Sequence, residues 1–131
     1  MELAPGMRSS VRTAVTDTDT AIAVGSGDVP VLATPRLLAL AEAATVAAVA
    51  PGLAPGQTTV GTSAAIEHTR ASLTGADVTV AAELTEVDGR RLTFRFTAEQ
   101  QSAGGPAAIG SGTVTRVIVD AGAFLRRAAE Q

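Results

Sequence analysis

The sequence predicts an α+β domain: a curved antiparallel sheet wrapped around one long central helix, with a short helix at the C-terminus. Three observations carry that reading. The run Leu37 to Val49 is apolar at helical length, the chain from Thr58 onward alternates with a period of two, and Asp88-Gly89 interrupts that alternation as a hairpin turn does. The 131 residues suit a single domain over 1–131, long enough to bury roughly two thirds of the unfolded chain's surface on folding.

Taken in order, Arg8 to Val15 alternates small polar and β-branched residues, with Val11, Thr13 and Val15 on one face, and predicts a first strand. Asp17 to Pro30 is rich in Thr, Asp, Gly and Ser and is expected to be the most mobile loop. Thr34-Pro35 places a hydroxyl at a helix cap and proline at the first helical position, so a helix is expected from there to about Ala50, where Pro51-Gly52 and Pro55-Gly56 end it. Apolar nearly all round, this helix is expected to be buried on most sides. Val78, Val80, Ala82 and Leu84 then share one face of a strand, which the Asp88-Gly89 turn joins to the strand Leu92 to Phe96. Gly104-Gly105-Pro106 turns the chain into a strand from about Ala108 to Val119, in which Gly110 and Gly112 mark close approach of a backbone or ligand. Asp120 caps a terminal helix that ends in Arg126-Arg127, cations suited to a helix C-terminus.

Composition narrows the functional classes. Hydrophobic residues make up 46%, but alanine dominates them and three Phe are the only aromatics, so the core is built from small side chains; self-association into a homodimer is expected to complete it. All ten cations are arginine and the net charge is −3, without the concentrated basic surface or stacking aromatics that nucleic-acid binding needs. The chain has no cysteine, and one His with scattered acids is thin for a tight transition-metal site; no cofactor is expected. No basic, apolar leader is visible at Met1 to Gly6, and the longest apolar run is too short to span a bilayer and carries Glu42; a cytoplasmic protein without a membrane partner is expected.

The chemistry-bearing residues are Glu42, alone in that apolar run, and His68, the sole histidine. A carboxylate losing hydration needs a partner, and carboxyls with single histidines are the materials of acid–base and nucleophilic chemistry. Each also has a purely structural reading. Glu42 can be satisfied by a structural arginine such as Arg116, His68 can be an ordinary strand residue, and Thr34 can be a helix cap and nothing more. Glu67 falls on the opposite face to His68, in solvent. Arg90-Arg91 suit a solvated hairpin turn, or the phosphates of a nucleotide carrier.

The segments Ala33-Thr34, Glu42, Val60-Gly61-Thr62, His68-Thr69, Val87-Asp-Gly-Arg-Arg91 and Ile109-Gly-Ser-Gly-Thr113 with Arg116 resemble those of the fluoroacetyl-CoA thioesterase family, over roughly residues 33 to 119. The resemblance implies a hot-dog fold and acyl-CoA hydrolysis. It places the family's catalytic Thr, Glu and His on Thr34, Glu42 and His68, and the glycine beside the thioester on Gly61. It also implies that each site draws on both subunits of a dimer, so that Thr34 of one chain meets a Glu42–His68 pair from the other. Arg116, Arg90 and Arg91 are assigned to substrate binding. Glu42 would attack the carbonyl or activate water, two routes the sequence leaves open; His68 would carry the proton and keep Glu42 charged; the Gly61 backbone N–H would face the thioester oxygen. The fluoroacetyl-specific enzyme carries aromatic residues over its acyl pocket, whereas Ser26 to Ala33 has none, so the resemblance implies thioester hydrolysis and not fluoroacetyl selectivity; a small-residue wall of Ala and Val is expected to leave volume for a longer acyl group. The expected function is hydrolysis of a small or medium acyl-CoA thioester; the alternative is an idle hot-dog module that binds an acyl-CoA or other small hydrophobic ligand. A hot-dog hydratase would need an Asp/His arrangement that finds no matching motif.

Overall fold

The computed structural model describes residues 2–131. Strand β1 (Arg8–Ala14) leads through a 3-10 turn (Asp17–Asp19) and a one-turn helix α1 (Ala21–Val24) to the central helix α2 (Thr34–Val49). Strands β2 (Gln57–His68), β3 (Asp77–Asp88), β4 (Arg91–Ser102) and β5 (Gly105–Asp120) follow, then helix α3 (Ala121–Ala129). The five strands form one antiparallel sheet in the order β1-β3-β4-β5-β2, with β1 and β2 at its edges. This is the hot-dog architecture expected from the order of elements.

The alternation from Val78 to Leu84 faces inward, and Leu92, Phe94 and Phe96 of β4 continue the same buried face. Against it lie Leu37, Leu40, Ala41, Ala44, Ala48 and Val49 of α2. Gly89 turns the β3–β4 hairpin with φ +60°. Glycine at 112 has a steric cause: a Cβ there would meet the Ala65 carbonyl oxygen at 2.0 Å and the Phe96 ring at 2.8 Å. The close approach expected at Gly112 is thus made by backbone and core. Asp120 caps α3 as expected, accepting the Ala123 N–H at 2.8 Å.

Two expectations are corrected. Helix α2 is buried along one face only; Ala39, Ala43, Val46 and Ala47 are exposed, and because most are alanine the helix reads as apolar all round while leaving little apolar area uncovered. The segment Asp17 to Pro30 is not a plain mobile loop. Thr16 and Asp19 cap the 3-10 turn reciprocally, Thr20 caps α1 at the Ala23 N–H, and Arg36 Nε of α2 donates to Asp19 Oδ1 at 2.8 Å. The polar residues that suggested mobility are consumed as local caps.

The buried Asp19 carboxylate also accepts the Thr16 N–H at 2.8 Å, and that bond together with Arg36 holds its pKa below the ordinary carboxylate value against the opposing effect of burial. Such a group stabilises the fold above its unfolded pKa of 3.8, and the contribution disappears as pH falls through the lower folded value. Asp19→Ala is therefore expected to lower unfolding stability by about 1–3 kcal/mol at pH 7. In urea titrations the gap to wild type should close only below the ordinary carboxylate range; no gap at pH 7 would show that Arg36 does not fasten this segment.

Candidate active site

Thr34 opens α2, and its side chain does not cap the helix. Ala33 occupies the cap position without a side-chain bond, Pro35 is in the first turn, and Thr34 Oγ1 instead shares a hydrogen bond of 2.8 Å with His68 Nδ1. The cap reading from sequence is thus corrected: Thr34 is the first helical residue, and its hydroxyl turns to the end of β2. His68 Nε2 is buried with no hydrogen-bond partner among the described residues. Burial pushes the imidazole pKa below its ordinary value, with the Arg70 backbone opposing, so the neutral ring is favoured.

The route by which His68 reaches this face is a β-bulge. Across β2 and β5 the register runs Gly61 to Arg116 and then Ser63 to Thr115, so β2 carries an extra residue at Thr62. Before it, odd-numbered Thr59 and Gly61 face the helix; after it, Ile66 and His68 do. Without the bulge, period-two alternation would turn Glu67 inward and His68 to solvent.

Glu42 lies two turns further along α2, about 12 Å from Thr34 at 1.5 Å per residue. Its partner is Arg116, whose Nη1 donates to Glu42 Oε2 at 2.8 Å. Arg116 is only 7% exposed and is anchored on Thr59, Nε to the hydroxyl at 2.9 Å and Nη2 to the carbonyl at 3.0 Å. Gly61 admits the carboxylate: a Cβ there would stand 2.6 Å from Glu42 Oε2. The expected Glu42–His68 pairing is corrected accordingly. Residues 61 and 68 are about 20 Å apart along one strand, so the cation beside Glu42 in its own chain is arginine, and His68 belongs with Thr34. The Glu42 side chain is 39% exposed rather than enclosed.

The two groups occupy opposite ends of the sheet. Gly61 stands beside Arg116 and Arg116 beside Leu92, next to the β3–β4 hairpin that carries the exposed Arg90 and Arg91; His68 stands beside Gly110 and Gly110 beside Ala98. A cavity of about 600 Å³ opens at the Thr34–His68 end, between the segment from Ala21 to Pro35 and residues 68–71. Among the described residues no cluster of His, Cys, Asp and Glu could hold a metal, and no helix is long and apolar enough to cross a membrane. Sequence reasoning missed Thr59, whose single signal is that it shares a face with Gly61.

The profile of the fluoroacetyl-CoA-specific thioesterase family matches residues 15–122. A fluoroacetyl-CoA thioesterase from Streptantibioticus cattleyicolor is 44% identical over 89 residues, a stretch that spans 68% of this chain and 61% of that relative's length. Among solved structures, one of a fluoroacetyl-CoA thioesterase superposes with a TM-score of 0.91 at 31% identity, covering 100% of this chain and 98% of that one. A mutant of a fluoroacetyl-CoA-specific thioesterase in complex with fluoroacetate and CoA has a TM-score of 0.82 at 34% identity, covering 93% and 99%.

A methyl group at residue 61 would collide with the end of a flexible, half-exposed side chain. Gly61→Ala is therefore expected to displace the Glu42 carboxylate from Arg116 and, because the buried guanidinium loses its counter-charge, to lower unfolding stability by about 1–3 kcal/mol. A crystal structure of the variant that retains the 2.8 Å contact would contradict this account of Gly61.

Proposed function

Since the chain belongs to the fluoroacetyl-CoA-specific thioesterase family, we propose that it hydrolyses a small or medium acyl-CoA thioester at a site assembled from two protomers. The observation that carries this reading is the Thr34–His68 hydrogen bond at the wall of the cavity, with His68 Nε2 buried and unpartnered among the described residues. A neutral imidazole held through Nδ1 has its other nitrogen available to a reacting group.

The proposed division of the site between protomers is supported by the open edge of β2. Strand β2 is a twelve-residue edge, and a long edge with open N–H and C=O groups is a template for a second chain. An antiparallel pairing of two copies centred between Ala64 and Ala65 sets His68 of one protomer opposite Gly61 of the partner subunit. Glu42 of one chain then approaches the Thr34–His68 pair of the other, an isologous contact that builds two equal sites. It differs from the sequence expectation in which Glu42 and His68 came from the same chain.

In this site Arg116 holds Glu42 Oε2 and leaves Oε1 for chemistry. Either Glu42 attacks the thioester carbonyl, giving an anhydride that water opens, or it orients water for direct attack; both end with a new C–O bond and a broken C–S bond. On the water route His68 takes the proton from water and returns it to the departing thiolate; on the anhydride route the thiolate leaves first and His68 takes the proton from the water that then opens the anhydride, and on both the Thr34 hydroxyl fixes the ring. The Gly61 backbone N–H faces the developing oxyanion. Arg90 and Arg91, exposed at the Glu42 end, suit the phosphates of the CoA carrier.

Release of CoA thiol from an acyl-CoA panel is the direct test. Glu42→Ala and His68→Ala should each lower turnover at least 100-fold; unchanged turnover in either would remove that residue from the mechanism. Thermal stabilisation by an acyl-CoA without thiol release would identify a binding module instead. Because burial depresses the His68 pKa, the base form survives below the ordinary value of 6.5, and the acid limb of kcat/KM is expected below that pH; a limb above it would contradict the assignment. Mixing equal amounts of Glu42→Ala and His68→Ala protein with subunit exchange should restore about a quarter of wild-type activity, since half the dimers are mixed and each keeps one intact site. No recovery despite demonstrated exchange would place Glu42 and His68 in the same chain.

A further inference from the structure

We propose that the acyl group this chain accepts is not a two-carbon unit but an aryl, branched or medium-length chain of about six carbons or more, seated in the cavity beside Thr34 and His68. The inference rests on the hydrolase reading and names the substrate class of that site. The cavity holds about 600 Å³. A cavity of about 150 Å³ is enough to enclose a benzene ring, so this groove has room for a six-carbon acyl group beside the thioester and the carboxylate that the second protomer brings.

The walls are matched to hydrocarbon. Val29, Val31 and Ala71 supply accessible apolar surface, with Ala21, Leu32 and Ala33 packed behind them. No aromatic ring narrows the space: Phe94 and Phe96 are buried in the sheet, and Phe124 belongs to α3. Val29 is 52% exposed on the cavity wall, apolar surface that a two-carbon acyl group would not reach. The charged lining residues, Asp28 and Arg70, are both exposed, which leaves their charges hydrated while an apolar chain occupies the interior. Each methylene moved from water into such a wall is worth about fourfold in kcat/KM, the equivalent of about 0.8 kcal/mol.

The experiment compares kcat/KM for acetyl-, fluoroacetyl-, butyryl-, hexanoyl- and phenylacetyl-CoA on wild type, Val29→Phe and Ala71→Phe, two exposed positions on opposite walls. Hexanoyl- and phenylacetyl-CoA are expected to exceed acetyl- and fluoroacetyl-CoA at least tenfold on wild type, and each Phe substitution is expected to cut that ratio at least fivefold. Equal or greater kcat/KM for the two-carbon substrates, or ratios unmoved by both substitutions, would overturn the acyl assignment while leaving hydrolysis intact. If no substrate releases thiol, hydrolysis itself fails, and thermal shifts with the same panel decide the cavity. A larger Tm increase with hexanoyl-CoA than with acetyl-CoA, lost in Val29→Phe, supports the proposal, and equal increases overturn it.

Discussion

One extra residue in an edge strand governs what this sheet can do. Because β2 carries a bulge at Thr62, the residues on either side of it obey opposite parities yet face the same helix: Thr59 and Gly61 before, Ile66 and His68 after. The first pair holds Arg116 and admits the Glu42 carboxylate; the second delivers the imidazole to Thr34. A regular strand could serve one of these groups and would send the other's side chains to solvent. Bulges concentrate at sheet edges and next to active sites, and β2 is an edge strand that carries the proposed site.

Arg116 answers a second constraint. A guanidinium this buried is tolerated when its donors are met, and they are met by the Thr59 hydroxyl, the Thr59 carbonyl and Glu42. The consequence for Glu42 is directional. One oxygen is fixed by a rigid, always-charged fork, and the side chain stays partly open to solvent beside a glycine. The counter-charge beside this carboxylate in its own chain is arginine rather than histidine, and His68, whose neutral form burial favours, stands apart from it beside Thr34.

The sequence made the architecture legible because its signals are local: the period-two run from Val78, the Asp88-Gly89 turn, and Asp120 before a short amphipathic segment each specify their element within a few residues. Thr34, Glu42, Gly61 and His68 were legible as candidates, and Arg116 was legible as a structural partner for Glu42, but the Thr34–His68 bond was not. Thr34 before Pro35 reads as a cap, and only tertiary packing redirects its hydroxyl to His68. The pairing of Glu42 with Arg116 joins residues 74 apart, and the bulge that decides which of Glu67 and His68 faces inward leaves no compositional trace beyond Gly61. The segment Asp17 to Pro30 misled because capping residues and loop residues are the same types.

The state of His68 bears on whether this site is built for chemistry or for holding a ligand. A buried donor or acceptor without a partner costs about 1–3 kcal/mol, and a module that merely encloses an acyl chain gains nothing from keeping one. His68 Nε2 is such an atom among the described residues, while Nδ1 is committed to Thr34. With Nδ1–H donating to Thr34 Oγ1, the tautomer that the proposed base role requires, the other nitrogen is an acceptor ready to take up a proton from whatever polar group enters beside it. In the proposed two-protomer arrangement that group is the thioester or the water that Glu42 orients. An imidazole held by Thr34 at a cavity wall puts a proton acceptor where a reacting group would meet it, which hydrolysis uses and the storage of an acyl chain does not.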